Sequence, residues 1–263
     1  MKVRTASRDG VWIVTICRPD VRNCVDRETA NGLAEAFRKF DEDDSLRVAI
    51  LQGEQGCFCA GADLKEASRG GSNSNQVLSE GDGPMGPTRM LLGKPVIAAV
   101  EGFAVAGGLE LAVWCDLRVA ASDAIFGVYC RRWGVPLVDG GTVRLPRLIG
   151  QSRAMDMILT GRPVSGEEAV SMGLVNRMVD PGKAFEAAFE LAREIQDFPQ
   201  RCLRSDRLSA LTQWGSELDD ALREETRLGL EVIRSGETQE GATRFAKGAG
   251  RHGNFTEHTP TND

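Results

Sequence analysis

Pro95-Val96-Ile97-Ala98-Ala99-Val100-Glu101-Gly102-Phe103-Ala104-Val105-Ala106-Gly107-Gly108-Leu109-Glu110-Leu111-Ala112-Val113-Trp114-Cys115-Asp116-Leu117-Arg118-Val119 is the stretch around which the chain is organised. The apolar run after Pro95 reads as a buried strand, and Gly102 ends it. Gly107 and Gly108 lead into an apolar segment, Leu109 to Cys115, that reads as a buried helix. Residues 98–108 are mostly small, which lets backbone lie close to a neighbour or a ligand. A helix that starts at a Gly-Gly pair has first-turn N–H groups without partners inside the helix. Together with the helix dipole they favour negative charge on a ligand. One turn in stands Glu110, a carboxylate in apolar sequence, and such a group is either paired or catalytic. A glycine turn that merely packs a helix on a sheet, with Glu110 in a salt bridge, accounts for the same residues.

The same plan occurs once before. Val48 to Leu51 reads as a short buried strand ending at Gly53, and Cys57-Phe58-Cys59-Ala60-Gly61-Ala62-Asp63 leads into a helix with Asp63 near its start. Two such turns can each aim a backbone N–H at one oxygen, which is an oxyanion hole. Downstream, Asp139 follows an apolar run and precedes Gly140-Gly141 and a helix over 143–149. It is a second place for a functional carboxylate, and Asp before Gly-Gly is equally a turn or N-cap signature.

Around these segments, Val3 to Ser7 and Val11 to Ile16 read as a hairpin across Asp9-Gly10. Residues 27–43 read as an amphipathic helix with Leu33, Phe37 and Phe40 on one face. Residues 68–83 are rich in Gly, Ser and Asn and read as a loop, either a lid or plain surface. Residues 85–92 read as a short helix, Asp116–Ala120 and Ala124–Gly127 as strands, and 151–160 and 166–172 as helices before a short strand near 175–179. From 183 onward the pattern is helical, in segments 183–197, 199–213, 216–234 and 237–247, and the tail from Gly248 is polar.

With 263 residues, the chain is long enough to bury a large core. Its net charge of −6 argues against nucleic acid as a partner. No apolar run approaches about 18 residues and the first residues lack the core of a secretory signal, so neither a membrane span nor export is expected. Seven cysteines, an odd number, fit reduced thiols in a cytoplasm. The two histidines, His252 and His258, lie at the far end, so Ser-His-Asp, Cys-His and His-metal sites are not expected in the body of the fold, and no metal site is read. Acid–base chemistry then falls to carboxylates.

In order and spacing these residues resemble the crotonase (enoyl-CoA hydratase/isomerase) superfamily over nearly the whole chain. The markers are Arg18-Pro19 with Asn23, Phe58 to Leu64, Ala106-Gly107-Gly108-Leu109-Glu110-Leu111-Ala112, Cys115-Asp116, and Gly140-Gly141-Thr142 with Arg144-Leu145-Pro146. Others are Ala154 with Leu159-Thr160-Gly161, and Ala169 with Gly173-Leu174-Val175. The resemblance implies an α/β fold, a spiral of ββα units over 1–197 that carries an acyl-CoA site, followed by a helical trimerisation region over 198–263. A homotrimer or a dimer of trimers is implied. It implies an acyl-CoA thioester as substrate, with no cofactor beyond the coenzyme A of the substrate itself. By the same resemblance the N–H groups of Ala62 and Gly107 hold the thioester oxygen. Cys59, Ala60, Lys65, Gly108 and Cys130 fall at substrate and CoA contacts. Lys247 and Arg251 are candidates for a neighbouring subunit's CoA phosphates.

In hydratases of this family two glutamates share the work. One position is Glu110; the other aligns with Cys130, a poor substitute for a carboxylate in protonating carbon. Asp139 is the candidate to compensate, as in isomerases that carry an aspartate in this loop. Enoyl-CoA hydration is therefore the leading expectation, with Glu110 activating or holding the water. Isomerisation by Glu110 and Asp139 is the alternative, and a non-catalytic acyl-CoA binder is the second.

Overall fold

The computed structural model describes residues 1–250; Arg251, His252 and His258 lie outside the described residues. In chain order the elements are β1 (Val3–Arg8), β2 (Val11–Ile16), α1 (Arg27–Glu42), β3 (Val48–Gly53), α2 (Leu64–Arg69), β4 (Val96–Val100), β5 (Phe103–Val105), α3 (Gly107–Trp114), β6 (Leu117–Ala121) and β7 (Ile125–Gly127). There follow α4 (Gly141–Ile149), α5 (Gln151–Thr160), β8 (Val164–Ser165), α6 (Gly166–Ser171), β9 (Arg177–Val179), α7 (Ala184–Gln196), α8 (Gln200–Thr212), α9 (Leu218–Arg234) and α10 (Glu237–Ala246).

The larger sheet has the order β1-β2-β3-β4-β6-β9, antiparallel at β1/β2 and parallel elsewhere. The smaller sheet is β5-β7-β8. The chain repeatedly passes through the large sheet, then the small one, then a helix: β4-β5-α3 and β6-β7-α4. The first turn of this spiral has only an isolated bridge in the small-sheet position, Cys59 against Ala104. That bridge lays the turn before α2 alongside the turn before α3.

Strand alternation divides the core in two, because successive side chains of a strand face opposite sides. Val11, Ile13, Val48, Ile50, Ile97, Ala99 and Val119 pack with Ala184, Ala188, Phe189 and Ala192 of α7. Their neighbours Val14, Ile16, Ala49, Leu51, Ala98, Val100 and Ala120 pack in the other cluster, with Leu33, Phe37 and Phe40 of α1 and with Leu109, Leu111 and Ala112 of α3. Asp26 starts α1 by accepting the Thr29 N–H, and Asp63 starts α2 by accepting those of Lys65 and Glu66.

The central helix starts at the Gly-Gly pair, and the apolar segment from Leu109 continues it. One expectation and one alternative are corrected. Residues 85–92 form only a three-residue 3-10 turn, Pro87–Arg89, because Gly86 sits at φ +94° before it and Met90 is extended after it. Asp139 does not cap α4: Gly140, at φ +93°, occupies that place, and the Asp139 carboxylate is engaged elsewhere.

The chain divides into two compact units, Met1–Ile195 and Gln196–Asp263. In the second, α8 to α10 bury only Leu228 and Val232 among their apolar side chains, while Trp214, Leu218, Leu222, Ile233 and Phe245 are exposed. Within it Glu237 accepts the N–H groups of Arg201 and Cys202 at the start of α8.

In the first unit the buried guanidinium of Arg118 donates to the carbonyls of Leu174, Ala112, Cys115 and Asp116 and to Asn176 Oδ1. An uncompensated buried acceptor costs about 1–3 kcal/mol. Arg118→Met orphans several at once, so we expect it to lower unfolding free energy by at least about 3 kcal/mol. Urea unfolding checks this, and a loss below about 1 kcal/mol contradicts it.

Candidate active site

The backbone of residues 59–63 and that of 104–108 touch. Cys59 N–H donates to Phe103 O at 2.8 Å, and Val105 N–H donates to Cys59 O at 3.1 Å. A Cβ on Gly108 would lie 2.0 Å from that Cys59 carbonyl, and one on Gly61 would lie 3.0 Å from the Gly107 nitrogen. Only glycine fits at these two positions, and Gly61 also holds φ +98°.

On the first turn, Gly61 O accepts from Val25 N–H and Asp63 N–H donates to Val25 O, so the Ala62 N–H between them faces away from that pairing. On the second, Ala106 holds φ +53°, ψ −126°, a conformation costly for a residue with a Cβ, and Gly107 N–H follows it as the first helical amide. Among the described residues neither the Ala62 nor the Gly107 N–H has a hydrogen-bond acceptor. Two partnerless amides on adjoining turns can receive an anionic oxygen.

Glu110, on the first turn of α3, is 2% exposed. Its Oε1 accepts from the N–H groups of Asp139 at 2.9 Å and Gly141 at 2.8 Å. Burial is the chief cause of a carboxyl pKa raised to about 7. The Asp139 charge adds to the rise, while the two amides and Arg144 oppose it. Oε2 accepts no bond from the described residues. Asp139 is buried as well, and its Oδ1 accepts from Met85 N–H at 2.9 Å and from Thr88 Oγ1 at 2.5 Å. Burial again raises its pKa, against the hydrogen bonds from Thr88 and Met85. Arg144 donates to the carbonyls of Asp139 and Thr88. Among the described residues Glu110 is thus in no salt bridge, and the Asp139 N–H on Glu110 brings the two residues together.

Cys130 is buried in the 3-10 turn Tyr129–Trp133; burial, and then the charge of Glu110, raise its thiol pKa. Cys59 is buried, Ala60 donates its N–H to Arg22 O, and Gly108 lies against Cys59. Lys65 is exposed on the first turn of α2, and Lys247 is exposed at the end of α10 in the other unit. The open cleft lined by Arg4, Glu54, Glu101, Asp123 and Phe185 contains none of these residues. Among the described residues no group of three or more His, Cys, Asp or Glu side chains could hold a metal ion, and no helix is long and apolar enough to cross a membrane.

Sequence reasoning missed the supports of this site. Asp63, next to Ala62, is pinned by Arg18 at 2.9 Å, and Arg18 also reaches Asp26 at 3.3 Å. Asp26 takes Lys2, Thr29 and Asn73 as well; burial works against its charge, but these partners hold its carboxyl well below the usual range. Asn23 accepts Arg18 N–H and donates to Cys57 O and Glu54 O. Arg18 and Asn23 stood in the sequence as family markers without a role. Thr88, Met85 and Arg144 carried no signal that tied them to Asp139.

The enoyl-CoA hydratase/isomerase family model matches residues 6–256. The chain belongs to the enoyl-CoA hydratase/isomerase family. It is 38% identical over 251 residues to enoyl-CoA hydratase EchA19 of Mycobacterium tuberculosis, with 91% of each chain covered. It is 39% identical over 184 residues to the carnitinyl-CoA dehydratase of Salmonella arizonae, with 69% of each covered. Among solved structures, enoyl-CoA hydratase EchA1 from Mycobacterium marinum matches with a TM-score of 0.88 at 38% identity over 94% of this chain and 96% of that one. The α/β architecture described above is the crotonase fold, and the protein is an enoyl-CoA hydratase-like enzyme.

The raised pKa of Glu110 links protonation to stability. The unfolded side chain ionises near its ordinary 4.5 and the folded one near 7, so stability from this group is complete below about 4.5 and is lost as pH rises to about 7. Glu110→Gln keeps an oxygen for the two amides and cannot ionise. Its stability advantage over the wild type is expected to grow between pH 4.5 and 8, by up to about 3 kcal/mol. Thermal melts across that range check it; a constant difference contradicts it.

Proposed function

We propose that the enzyme adds water to a 2-enoyl-CoA thioester. The observation that carries this reading is Glu110, a buried carboxylate fixed through one oxygen and placed one turn after the partnerless Gly107 N–H. The thioester oxygen sits between the N–H groups of Ala62 and Gly107, which stabilise the enolate that forms when C3 is attacked, by about 2.7–4 kcal/mol per donor. Glu110 and Asp139 divide the proton transfers. The working pair holds one proton: burial and the neighbouring charge favour neutral Glu110, and the hydroxyl and amide donated to Asp139 Oδ1, which oppose the effect of its own burial, assign Asp139 as the ionised member in this scheme. Asp139 takes a proton from water as its oxygen bonds to C3, and Glu110 gives its proton to C2. The proton then passes from Asp139 back to Glu110, so one water is consumed and the pair is restored. This places the water on Asp139 rather than Glu110, because the neutral acid cannot act as base.

Cys59, Ala60, Lys65 and Gly108 are proposed to line the path of CoA, and Cys130 to line the acyl side next to Glu110. No cofactor besides the CoA of the substrate enters this scheme. The exposed apolar side chains of residues 196–250 support a homotrimer or a dimer of trimers, and seven free thiols support a cytoplasmic setting. A second reading, enoyl-CoA isomerisation by the same pair, is favoured by one observation: the acid partnering Glu110 stands at 139, with a cysteine at 130.

Turnover of crotonyl-CoA and of a 3-enoyl-CoA by the wild type, Glu110→Gln and Asp139→Asn tests this. We expect hydration of crotonyl-CoA, reduced by about 10²–10⁴-fold in each variant. Full turnover by Glu110→Gln would refute the mechanism. Activity on the 3-enoyl ester alone makes the enzyme an isomerase, and tight binding of both esters without product makes it a non-catalytic binder.

A further inference from the structure

Thr88 belongs to none of the motifs read from the sequence; it lies in the 3-10 turn Pro87–Arg89 and is 1% exposed. Its hydroxyl is on Asp139 Oδ1 at 2.5 Å, across a sequence separation of 51 residues. An ionised carboxylate only accepts, so the hydroxyl hydrogen points at Asp139. Met85 N–H meets the same oxygen, while Oδ2 accepts no bond from the described residues. Arg144 donates one N–H to Thr88 O and another to Asp139 O, bracing the two backbones against each other.

The charged groups that face Asp139 are Glu110 from α3, Arg144 from α4 and Arg89 from the turn that holds Thr88. Arg144 spends its hydrogen bonds on carbonyls rather than on either acid. Of the two donors on Asp139, one is a backbone amide, which no side-chain substitution removes. The other is the Thr88 hydroxyl. We infer that Thr88 is a positioning residue of the reaction: its hydroxyl, fixed on Asp139 Oδ1, turns Oδ2 toward the substrate and decides which of the two acids carries their shared proton. This rests on the reading of Asp139 as the ionised partner of Glu110. Without the hydroxyl, Asp139 holds a proton at higher pH and the pair is idle where the wild type works.

The experiment is the pH profile of kcat for crotonyl-CoA hydration by the full-length protein, for the wild type, Thr88→Val, Thr88→Ala, Thr88→Ser, Asp139→Asn and the Thr88→Val/Asp139→Asn double variant. In Thr88→Val and Thr88→Ala the acid limb is expected to move up by about one pH unit. kcat then falls by about tenfold on that limb, with KM nearly unchanged. Thr88→Ser restores the wild-type profile. In the Asp139→Asn background, Thr88→Val moves nothing further. If Thr88→Val fails to fold, the Ala and Ser variants carry the comparison. Unmoved limbs in the Val and Ala variants, beside a strongly impaired Asp139→Asn, overturn the role of Thr88 and leave Asp139 standing. A shifted profile in Thr88→Ser also overturns it. Wild-type activity in Asp139→Asn overturns the reading of Asp139 itself.

Discussion

Val105 N–H reaches the Cys59 carbonyl at 3.1 Å, and that carbonyl lies where a Cβ on Gly108 would be. The rest of the site depends on this approach of two backbones. It draws the Ala62 turn onto the Gly107 turn, so that two strand-to-helix connections from successive turns of the spiral share one place. Side chains with their own rotamers would hold an anion less firmly than amides fixed by two elements. The cost appears in Ala106, held at positive φ immediately before α3. The small residues that let the turns meet are also what leaves the first amide of α3 uncovered.

Behind the amides, each of the two buried carboxylates keeps its structural bonds on one oxygen and leaves the other without a donor among the described residues. Each carboxylate spends one oxygen on two donors: Glu110 on the amides of Asp139 and Gly141, Asp139 on Met85 and Thr88. One residue, Asp139, is donor to the first acid through its backbone and is itself the second acid. The two groups therefore cannot move independently. Desolvation raises both pKa values, and the differing donors and neighbouring charges are what separate two acids in one pocket.

The sequence read well where the physics is local. The Gly-Gly turn, the apolar helix after it and the alternating strands all follow from residues within a few positions of each other, and the hairpin across Asp9-Gly10 forms as its composition suggests. The sequence leaves the pairing of Glu110 open because its partners are 29 and 31 residues away. For Asp139 the sequence leaves two readings open, a functional carboxylate and a helix cap, because Asp-Gly-Gly is also a cap pattern. Its carboxylate instead goes to Met85 and Thr88, contacts that no window of sequence contains. Residues 85–92 form no helix longer than the turn Pro87–Arg89 because Gly86 sits at positive φ before that turn and Met90 is extended after it.

The loop between α2 and β4 is tied at both ends to this machinery. Asn73 reaches Asp26 of the buried ion network, and Asn75 reaches Pro84, one residue before Met85. Between these ties, residues 79–81 are exposed. Ala62 and Met85 lie outside this exposed span, beyond the ties on either side of it. Length in this loop is thus a parameter that evolution, or an engineer, can change separately from the two adjoining turns and the buried carboxylates.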